Sequence, residues 1–242
     1  MLEFKNVSKE YGHVKALRDV SFHAKAGEIT GLIGANGAGK STSIRLMLNY
    51  MTPTSGEILL NDQKMETIAT TENKISYIPD EPVYYEFMTV EEHFQLIQAM
   101  YKENEYNSQY LIEHFDLNDH IKKIPHTLSK GNKQKVMICT AVMREFEYLI
   151  ADEPFTGLDP RQITVLKNIL LELKKRNKGI ILSTHLLDTI ETFCDRYIML
   201  DKGSILATGT RDEIIESKKL NSDLSVEEIY LKLVEEKEKL RK

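Results

Sequence analysis

The sequence predicts an α/β fold in which a largely parallel sheet carries an inserted helical lobe. Short apolar, β-branched stretches alternate with helical patterns along the chain. A glycine-rich loop, GANGAGKS at 34–41, joins one such stretch to a helix, and the pattern from 89 to about 144 is helical. Strands that alternate with helices are typical of parallel sheets, and a helical stretch within the series indicates an insertion.

The first third of the chain is rich in strand candidates separated by glycines. These candidates are 2–7, 15–24, 28–33 and 56–60. Strand patterns return later in the chain, with a helix at 161–177 among them, at 147–151, 180–184 and 196–200. The alternation in the second half is the part that favours a parallel sheet.

The middle and the end of the chain have helical patterns. One helical face is formed by Val90, Phe94, Ile97 and Tyr101. A second helix is predicted at 107–115, and Ser129 could cap a third that runs to about Arg144. In the tail, Ser225 and Glu228 form an S-x-x-E capping box ahead of Val226, Ile229, Tyr230 and Leu233. This last helix is equally consistent with a fraying surface helix and with a regulatory one.

The GANGAGKS loop fits the phosphate-binding pattern G-x-x-x-x-G-K-[ST]. A predicted strand precedes it, and a helical face follows it at Ile44, Met47, Leu48 and Met51, which Pro53 is expected to end. Free N–H groups and the dipole at a helix start favour an anion. The predicted nucleotide-binding residues are Gly34, Ala35, Asn36, Gly37, Ala38, Gly39, Lys40, Ser41 and Thr42.

Each residue type in this loop suits a phosphate. Glycines at 34, 37 and 39 permit the tight curl and the close approach of backbone to ligand. Lys40 would reach the β and γ phosphates, and Ser41 would ligate Mg²⁺. The alternative is an ordinary glycine turn before a helix.

A second set of chemical residues follows the strand candidate in YLIADE, at 148–153. An acid at the end of a strand on the same sheet edge as a phosphate loop is suited to hold Mg²⁺, and Asp152 takes that role. Glu153 is placed to orient or deprotonate the attacking water. The alternative is a solvated strand end.

Composition limits the remaining function classes. The chain has 242 residues and a net charge of −5, which argues against nucleic acid as the main partner. Cys139 and Cys194 lack the spacing of a metal or redox pair, so we expect small buried residues in a reducing cytosol. No signal-peptide pattern and no apolar run of about 18 residues is present. We expect a chain soluble by itself that could reach a membrane through a partner.

The stretch LSKGN at 128–132 lies between the glycine-rich loop at 34–41 and the acidic motif at 148–153. It resembles the signature sequence of ABC-type ATPases. Other motifs of that family follow in its order: Tyr11, Asp80 in IPDEP, Pro154, GLD at 157–159 and STH at 183–185. On these six motifs the chain is identified as a member of the family. The resemblance implies a P-loop NTPase (RecA-like) parallel-sheet core with an antiparallel β lobe and an inserted α-helical lobe.

The resemblance also implies a division of the chain and a shared site. The core with its β lobe would take 1–84 and 145–215, the helical lobe 85–144 and a helical tail 216–242. Two copies would sandwich two ATP molecules, with Ser129 and Gly131 of one meeting the γ-phosphate bound by Lys40 of the other. Asp159 would act across that interface. Tyr11 would stack on adenine, His185 would contact the γ-phosphate, and Asp80 would approach Mg²⁺ or its water.

Two residues depart from the family pattern. Asp80 replaces the usual glutamine, so it cannot donate an amide hydrogen bond and adds negative charge near Glu153. Lys130 replaces a glycine of the signature. We therefore expect slower turnover than in the usual family member.

Members of this family drive a partner, and here a multi-span membrane subunit would contact residues near 80–101. The loop VYYEFM at 83–88 is unusually aromatic, which suits an interface, although these side chains could instead pack inside the lobe. Further similarity to the ATPase subunit of Ecs-type transporters of Gram-positive bacteria implies an exporter-like complex. The chain would then be cytoplasmic and peripheral on the inner face of the cell membrane.

Other function classes stay open on this reading. The chain could use ATP to regulate a membrane partner without moving cargo. Soluble ABC ATPases of translation or DNA repair usually join two such domains or insert coiled coils or zinc modules, which this sequence lacks. A small-molecule kinase that shares only the phosphate loop is excluded by the signature and STH motifs.

Overall fold

A computed structural model describes residues 1–69, 72–101 and 105–239. Residues 102–104 of the predicted helical lobe and 240–242 of the predicted tail lie outside the described residues. The strands are β1 Leu2–Tyr11, β2 Val14–Ala24, β3 Ile29–Ile33, β4 Ser55–Leu60, β5 Gln63–Lys64, β6 Ile75–Ile78, β7 Tyr148–Asp152, β8 Gly179–Ser183, β9 Arg196–Asp201 and β10 Ser204–Gly209. The α-helices are α1 Lys40–Met47, α2 Val90–Met100, α3 Ser108–His114, α4 Lys130–Met143, α5 Pro160–Lys175, α6 Leu187–Glu191, α7 Arg211–Lys218 and α8 Val226–Lys239.

The larger sheet has six strands in the order β10-β9-β3-β8-β7-β6. All neighbours in it are parallel except β10, which pairs antiparallel with β9. Every residue of β3 and β8 is buried, as expected for the centre of a parallel sheet covered on both faces. The carboxyl ends of β3, β7 and β8 meet at one edge, where the predicted catalytic loops begin.

The smaller sheet is antiparallel, with the strand order β2-β1-β4-β5, and it forms the predicted β lobe. Its apolar residues share one hydrophobic core with α1 and with one face of the larger sheet. The other face of that sheet shares a second core with the central helices and α8. Successive side chains of β3 point to opposite faces of the sheet, and this divides them between the two cores. Leu32 packs into the first core, whereas Ile29 and Ile33 pack into the second.

The central helical lobe contains α2, α3 and α4, as the sequence predicts. Thr89 and Glu92 form a reciprocal capping box at the start of α2. Asn107 caps α3 and Ser129 caps α4, each by accepting a backbone N–H through its side chain. The apolar positions of these helices pack together in the larger core, so the lobe and the parallel sheet share one interior.

Several elements differ from the sequence prediction. The helix after the phosphate loop ends at Met47, before Met51 and Pro53, because Asn49 adopts a left-handed conformation at φ 59°. Strands β5, β6 and β10 and helices α6 and α7 were not predicted. The four-residue β6 is too short to show a period, and β10 follows its neighbour after a tight turn at Lys202 and Gly203.

The tail and the cysteines follow the sequence closely. Ser225 and Glu228 form the predicted capping box of α8. Cys139 is buried and Cys194 half-buried, and both thiols are free. Burial raises the pKa of both thiols, which keeps them unreactive. Among the described residues, no helix has both the length and the apolar character that crossing a bilayer requires.

Candidate functional site

The phosphate loop runs from the end of β3 to the start of α1 and packs tightly on its surroundings. A Cβ on Gly34 would lie 2.8 Å from the Leu200 carbonyl oxygen, so only glycine fits there. Gly39 has φ 110°, and a Cβ there would lie 2.7 Å from Leu17. These close contacts explain why this chain needs glycine at positions 34 and 39 of the motif.

Lys40 and the start of α1 are arranged for an anion. The Lys40 ammonium donates to the Gly34 carbonyl and, at 3.4 Å, to the Ala35 carbonyl, so it is held over the loop. Gly39 precedes α1 without a side-chain cap. The first N–H groups of α1 are therefore available to a ligand, as at other anion-binding helix starts.

The loop lines a cleft of about 460 Å³. Besides Lys40, three cationic residues line it, namely Lys15, Arg18 and Lys202. Ser41 and seven other residues of the predicted site or its surroundings complete the lining: Ala35, Asn36, Gly37, Gly39, Thr42, Val14 and Ala16. Four positive side chains around one cleft suit a polyphosphate. Sequence reasoning missed the three added cations because they come from β2 and from the β9–β10 turn.

Asp152 ends β7 directly opposite Ser183 of β8. Burial raises the pKa of the Asp152 carboxyl, and the like charges of Asp80 and Glu153 add to that effect. The Ser183 hydroxyl and the Lys40 ammonium act in the opposite direction. Asp80 and Glu153 thus lie within electrostatic range of Asp152, although the described residues contain no cluster of three acidic or histidine side chains close enough to hold one metal ion. Asp80 itself is exposed, in the loop that follows β6.

Glu153 and His185 are brought together by neighbouring strands. Glu153 has φ 47°, unusual for a residue that is not glycine, and its N–H donates to the Ser183 carbonyl at 2.8 Å. Its Oε2 lies 3.0 Å from Nδ1 of His185 and accepts the His185 backbone N–H at 3.3 Å. The two predicted catalytic residues therefore form a pair at the sheet edge.

Tyr11 lies at the end of β1, opposite Val14 across the hairpin. Val14 lines the cleft, whereas the Tyr11 hydroxyl contacts the sulfur of Met51 at 3.0 Å. The Lys9 ammonium lies 5.5 Å from the centre of the Tyr11 ring. Stacking of Tyr11 on adenine stays a prediction.

The signature residues lie on the helical lobe, away from the cleft lining. Ser129 is exposed and caps α4. A Cβ on Gly131 would lie 2.4 Å from the Gly157 carbonyl oxygen, so glycine is required for packing within one chain. Asp159 is exposed and caps α5 by accepting the Gln162 N–H at 2.9 Å. The buried Gln134, which the sequence did not single out, donates to the Pro154 carbonyl at 3.4 Å and links α4 to the loop after Glu153.

Comparisons with known proteins find relatives of the chain in sequence and in fold. A family model described as ABC transporter matches residues 17–156. The ABC-type transporter ATP-binding protein EcsA of Bacillus subtilis is 39% identical over 241 residues, which are 98% of this chain and 97% of that protein. A solved structure described as the ATP-binding subunit of an ABC transporter has a TM-score of 0.90 at 39% identity, covering 97% of this chain and 99% of that one. The dimeric structure of MJ0796, a bacterial ABC transporter cassette, shares the fold with a TM-score of 0.77 at 23% identity over 87% of this chain and 98% of that one.

Proposed function

Because the chain belongs to the ABC transporter family and is an ATP-binding, ATP-hydrolysing subunit of that family, we propose that two copies close on two Mg-ATP molecules and drive a separate membrane subunit of an exporter. The observation that carries this proposal is the separation of two half-sites within one chain. The cationic cleft lies at the sheet edge, and the signature residues Ser129 and Gly131 lie on the helical lobe outside its lining.

The two half-sites have complementary chemistry. The cleft offers cations and helix N–H groups to one side of a triphosphate. Ser129 presents an exposed hydroxyl, and Lys130 an exposed ammonium, at the start of α4. A γ-phosphate held by Lys40 would be completed by these groups of a second copy. The dimer reported for MJ0796 supports the same arrangement by shared fold.

The residues at the sheet edge fit Mg²⁺. Asp152, Asp80 and Ser41 would supply oxygen ligands, which this ion prefers. Burial is the main cause of the raised pKa of Asp152, and the smaller part that comes from Asp80 and Glu153 is negative charge that a divalent cation would offset. When bound, the ion would neutralise charge on the phosphates. Glu153 would then accept the proton of the attacking water, held in place by its contacts with His185 and with the Ser183 carbonyl.

An aromatic groove is the proposed contact for the membrane subunit. It measures about 670 Å³ and lies between β6 on one side and α2 and α4 on the other. Its lining includes Tyr50, Tyr77, Val83, Tyr85 and Tyr101. Beside it Phe87 is 90% exposed, and Tyr85 is 62% exposed. Most of the surface of these two side chains faces solvent and not the interior of the helical lobe, and exposed aromatics favour a protein partner.

The exporter assignment rests on the resemblance to Ecs-type subunits, whereas the similarity to EcsA supports a transporter without giving the direction. The second candidate is an ATP-driven module that regulates a membrane partner without moving cargo, which needs the same site and the same groove. Uptake of a labelled cargo by inverted vesicles carrying the complex separates the two. ATP-dependent uptake supports an exporter, and a complex that hydrolyses ATP without uptake supports the regulatory module.

The test of the shared site is light scattering during size-exclusion chromatography on Glu153→Gln, with and without Mg-ATP. Loss of the base should trap the closed dimer, so we expect the mass to double only with Mg-ATP. Adding Ser129→Arg should return the chain to a monomer while nucleotide binding is kept. A Glu153→Gln chain that binds Mg-ATP and stays monomeric would contradict closure by the ATPase subunit alone.

A further inference from the structure

The carboxyl-terminal helix α8 lies directly against the phosphate loop. The hydroxyl of Tyr230 accepts the backbone N–H of Ala35 at 2.9 Å. It also donates to the Leu200 carbonyl at 3.5 Å. The Tyr230 side chain is buried in the larger core, so its position is set by the packing of α8.

The two sides of one peptide group are held at this point. The Gly34 carbonyl, which accepts from Lys40, and the Ala35 N–H, which donates to Tyr230, belong to the same peptide plane. Because a peptide group is planar, its C=O and N–H cannot turn independently. The Tyr230 hydroxyl therefore fixes the direction of the carbonyl that holds the phosphate-binding lysine.

A second contact links the other end of α8 to the same loop. Lys237 forms an ion pair with the buried Asp201 at 3.0 Å and donates to its carbonyl at 2.9 Å. Asp201 begins the β9–β10 turn, in which the Gly203 N–H donates to the Ala38 carbonyl at 3.0 Å. Lys202 of that turn lines the cleft. Helix α8 thus supports the phosphate loop both directly and through the turn.

We propose that Tyr230 is a positioning residue of the nucleotide site, through which the docking of α8 sets the affinity for the nucleotide phosphates. The contact spans 195 positions in sequence and involves a loop residue whose N–H has no other hydrogen bond among those described. Without the hydroxyl, the Gly34–Ala35 peptide can rotate and Lys40 loses its fixed carbonyl. Binding then has to order the loop, and its affinity falls.

The test compares Tyr230→Phe with Tyr148→Phe in the full chain. Each variant loses only one hydroxyl from a buried ring, but the Tyr148 hydroxyl donates to the Ala24 carbonyl at 3.4 Å, away from the cleft. Loss of one ordinary hydrogen bond should raise the Kd for Mg-ADP about three- to tenfold in Tyr230→Phe. The Tyr148→Phe value should stay within about twofold of wild type. Mg-ADP reports on the loop whether or not the closed dimer forms.

Two further readouts separate positioning from general stability. In Tyr230→Phe, the KM for ATP should rise by the same factor as the Kd for Mg-ADP, while kcat stays within about twofold of wild type. The reason is that the contact between Tyr230 and Ala35 exists both before and during the reaction. Hydrogen exchange at the Ala35 amide should become at least about tenfold faster in Tyr230→Phe. A folded Tyr230→Phe with an unchanged Kd, or one with a lower melting temperature and an unchanged Kd, would overturn the proposal.

A second variant covers the case in which Tyr230→Phe does not fold. Lys237→Met removes the ion pair to Asp201 at the exposed end of α8 and leaves the Tyr230 ring in place. We expect its Kd for Mg-ADP to rise about two- to fivefold through the β9–β10 turn. A Kd equal to that of wild type would overturn the role of α8.

Discussion

The carboxylate of Glu153 lies 3.0 Å from Nδ1 of His185 and accepts the backbone N–H of the same residue at 3.3 Å. With a neutral ring, Nδ1 donates to this carboxylate and Nε2 is left as an acceptor. An acceptor cannot donate to a phosphate oxygen. His185 must therefore leave Glu153, or take up a proton, before it can donate to a γ-phosphate as its motif predicts.

Replacing His185 tests this pairing. We expect His185→Ala to lower kcat about 100-fold, because Glu153 loses the imidazole that orients it and the phosphate loses a donor, although the backbone N–H of residue 185 remains. The Kd for ATP should change by less than about threefold. Phosphate release under saturating ATP measures the first quantity. His126→Ala, which removes another exposed histidine, should keep the wild-type rate, and a His185→Ala enzyme with the same rate would contradict the pairing.

The sequence predicts the residues of this site that are neighbours in the chain, but few of those that come from distant segments. Strand β3, the loop after it and Asp152 with Glu153 are contiguous patterns, because an apolar strand and its terminal residues are neighbours in the chain. The Lys15, Lys202 and Tyr230 contributions arise only when β2, the β9–β10 turn and α8 fold onto the loop. Such contacts between distant segments leave no period or motif for a sequence pattern to show.

Gly131 shows a different limit. As part of a signature motif it is expected to face the nucleotide of a second copy. The structure adds a contact with the Gly157 carbonyl of the same chain, where a Cβ would lie 2.4 Å away. A motif therefore identifies the residue but does not separate its packing role from its role toward a ligand.

Stability and activity should oppose each other at Asp152. Burial is the largest cause of its raised pKa. When the pKa of a carboxyl is higher in the folded state than in the unfolded state, stability falls as pH rises above the unfolded-state pKa. The folded state then has to release a proton that it binds more tightly than the unfolded state does. Asp152→Asn removes this cost. We expect a melting temperature about 2–4 °C higher at pH 7, and a hydrolysis rate reduced at least about 100-fold.

The sign of this effect is checked by pH. The gain of Asp152→Asn should shrink as pH falls to about 4, where about half of the unfolded carboxyl is also protonated. Scanning calorimetry without nucleotide at pH 7 and pH 4 measures the difference. Asp223→Asn, at an exposed position, serves as the control. A variant less stable than wild type at pH 7 would show that the Asp152 carboxylate is stabilising.

Asp80 should slow hydrolysis. Its charge contributes to the raised pKa of Asp152 and stands where the family has a glutamine. We expect Asp80→Gln to increase kcat about three- to tenfold, because it removes a like charge beside Asp152 and Glu153 and restores an amide donor. Glu81→Gln, one residue away and also exposed, should leave the rate unchanged. An Asp80→Gln rate equal to that of wild type would refute the role assigned to Asp80.

The aromatic groove provides the last prediction. Tyr85 and Phe87 are 62% and 90% exposed, so truncating them removes little from the hydrophobic core. We expect Tyr85→Ala with Phe87→Ala to lower the fraction of the chain recovered with its membrane subunit at least about fivefold, since aromatic anchors dominate such interfaces. Nucleotide affinity should stay within about twofold, because neither residue lines the phosphate cleft.

Leu231→Ala, which removes a 52% exposed side chain from α8, should bind the membrane subunit normally. Joint loss of membrane binding and ATP binding would mean that the aromatic loop supports the fold of the helical lobe, and recovery equal to wild type would place the partner elsewhere.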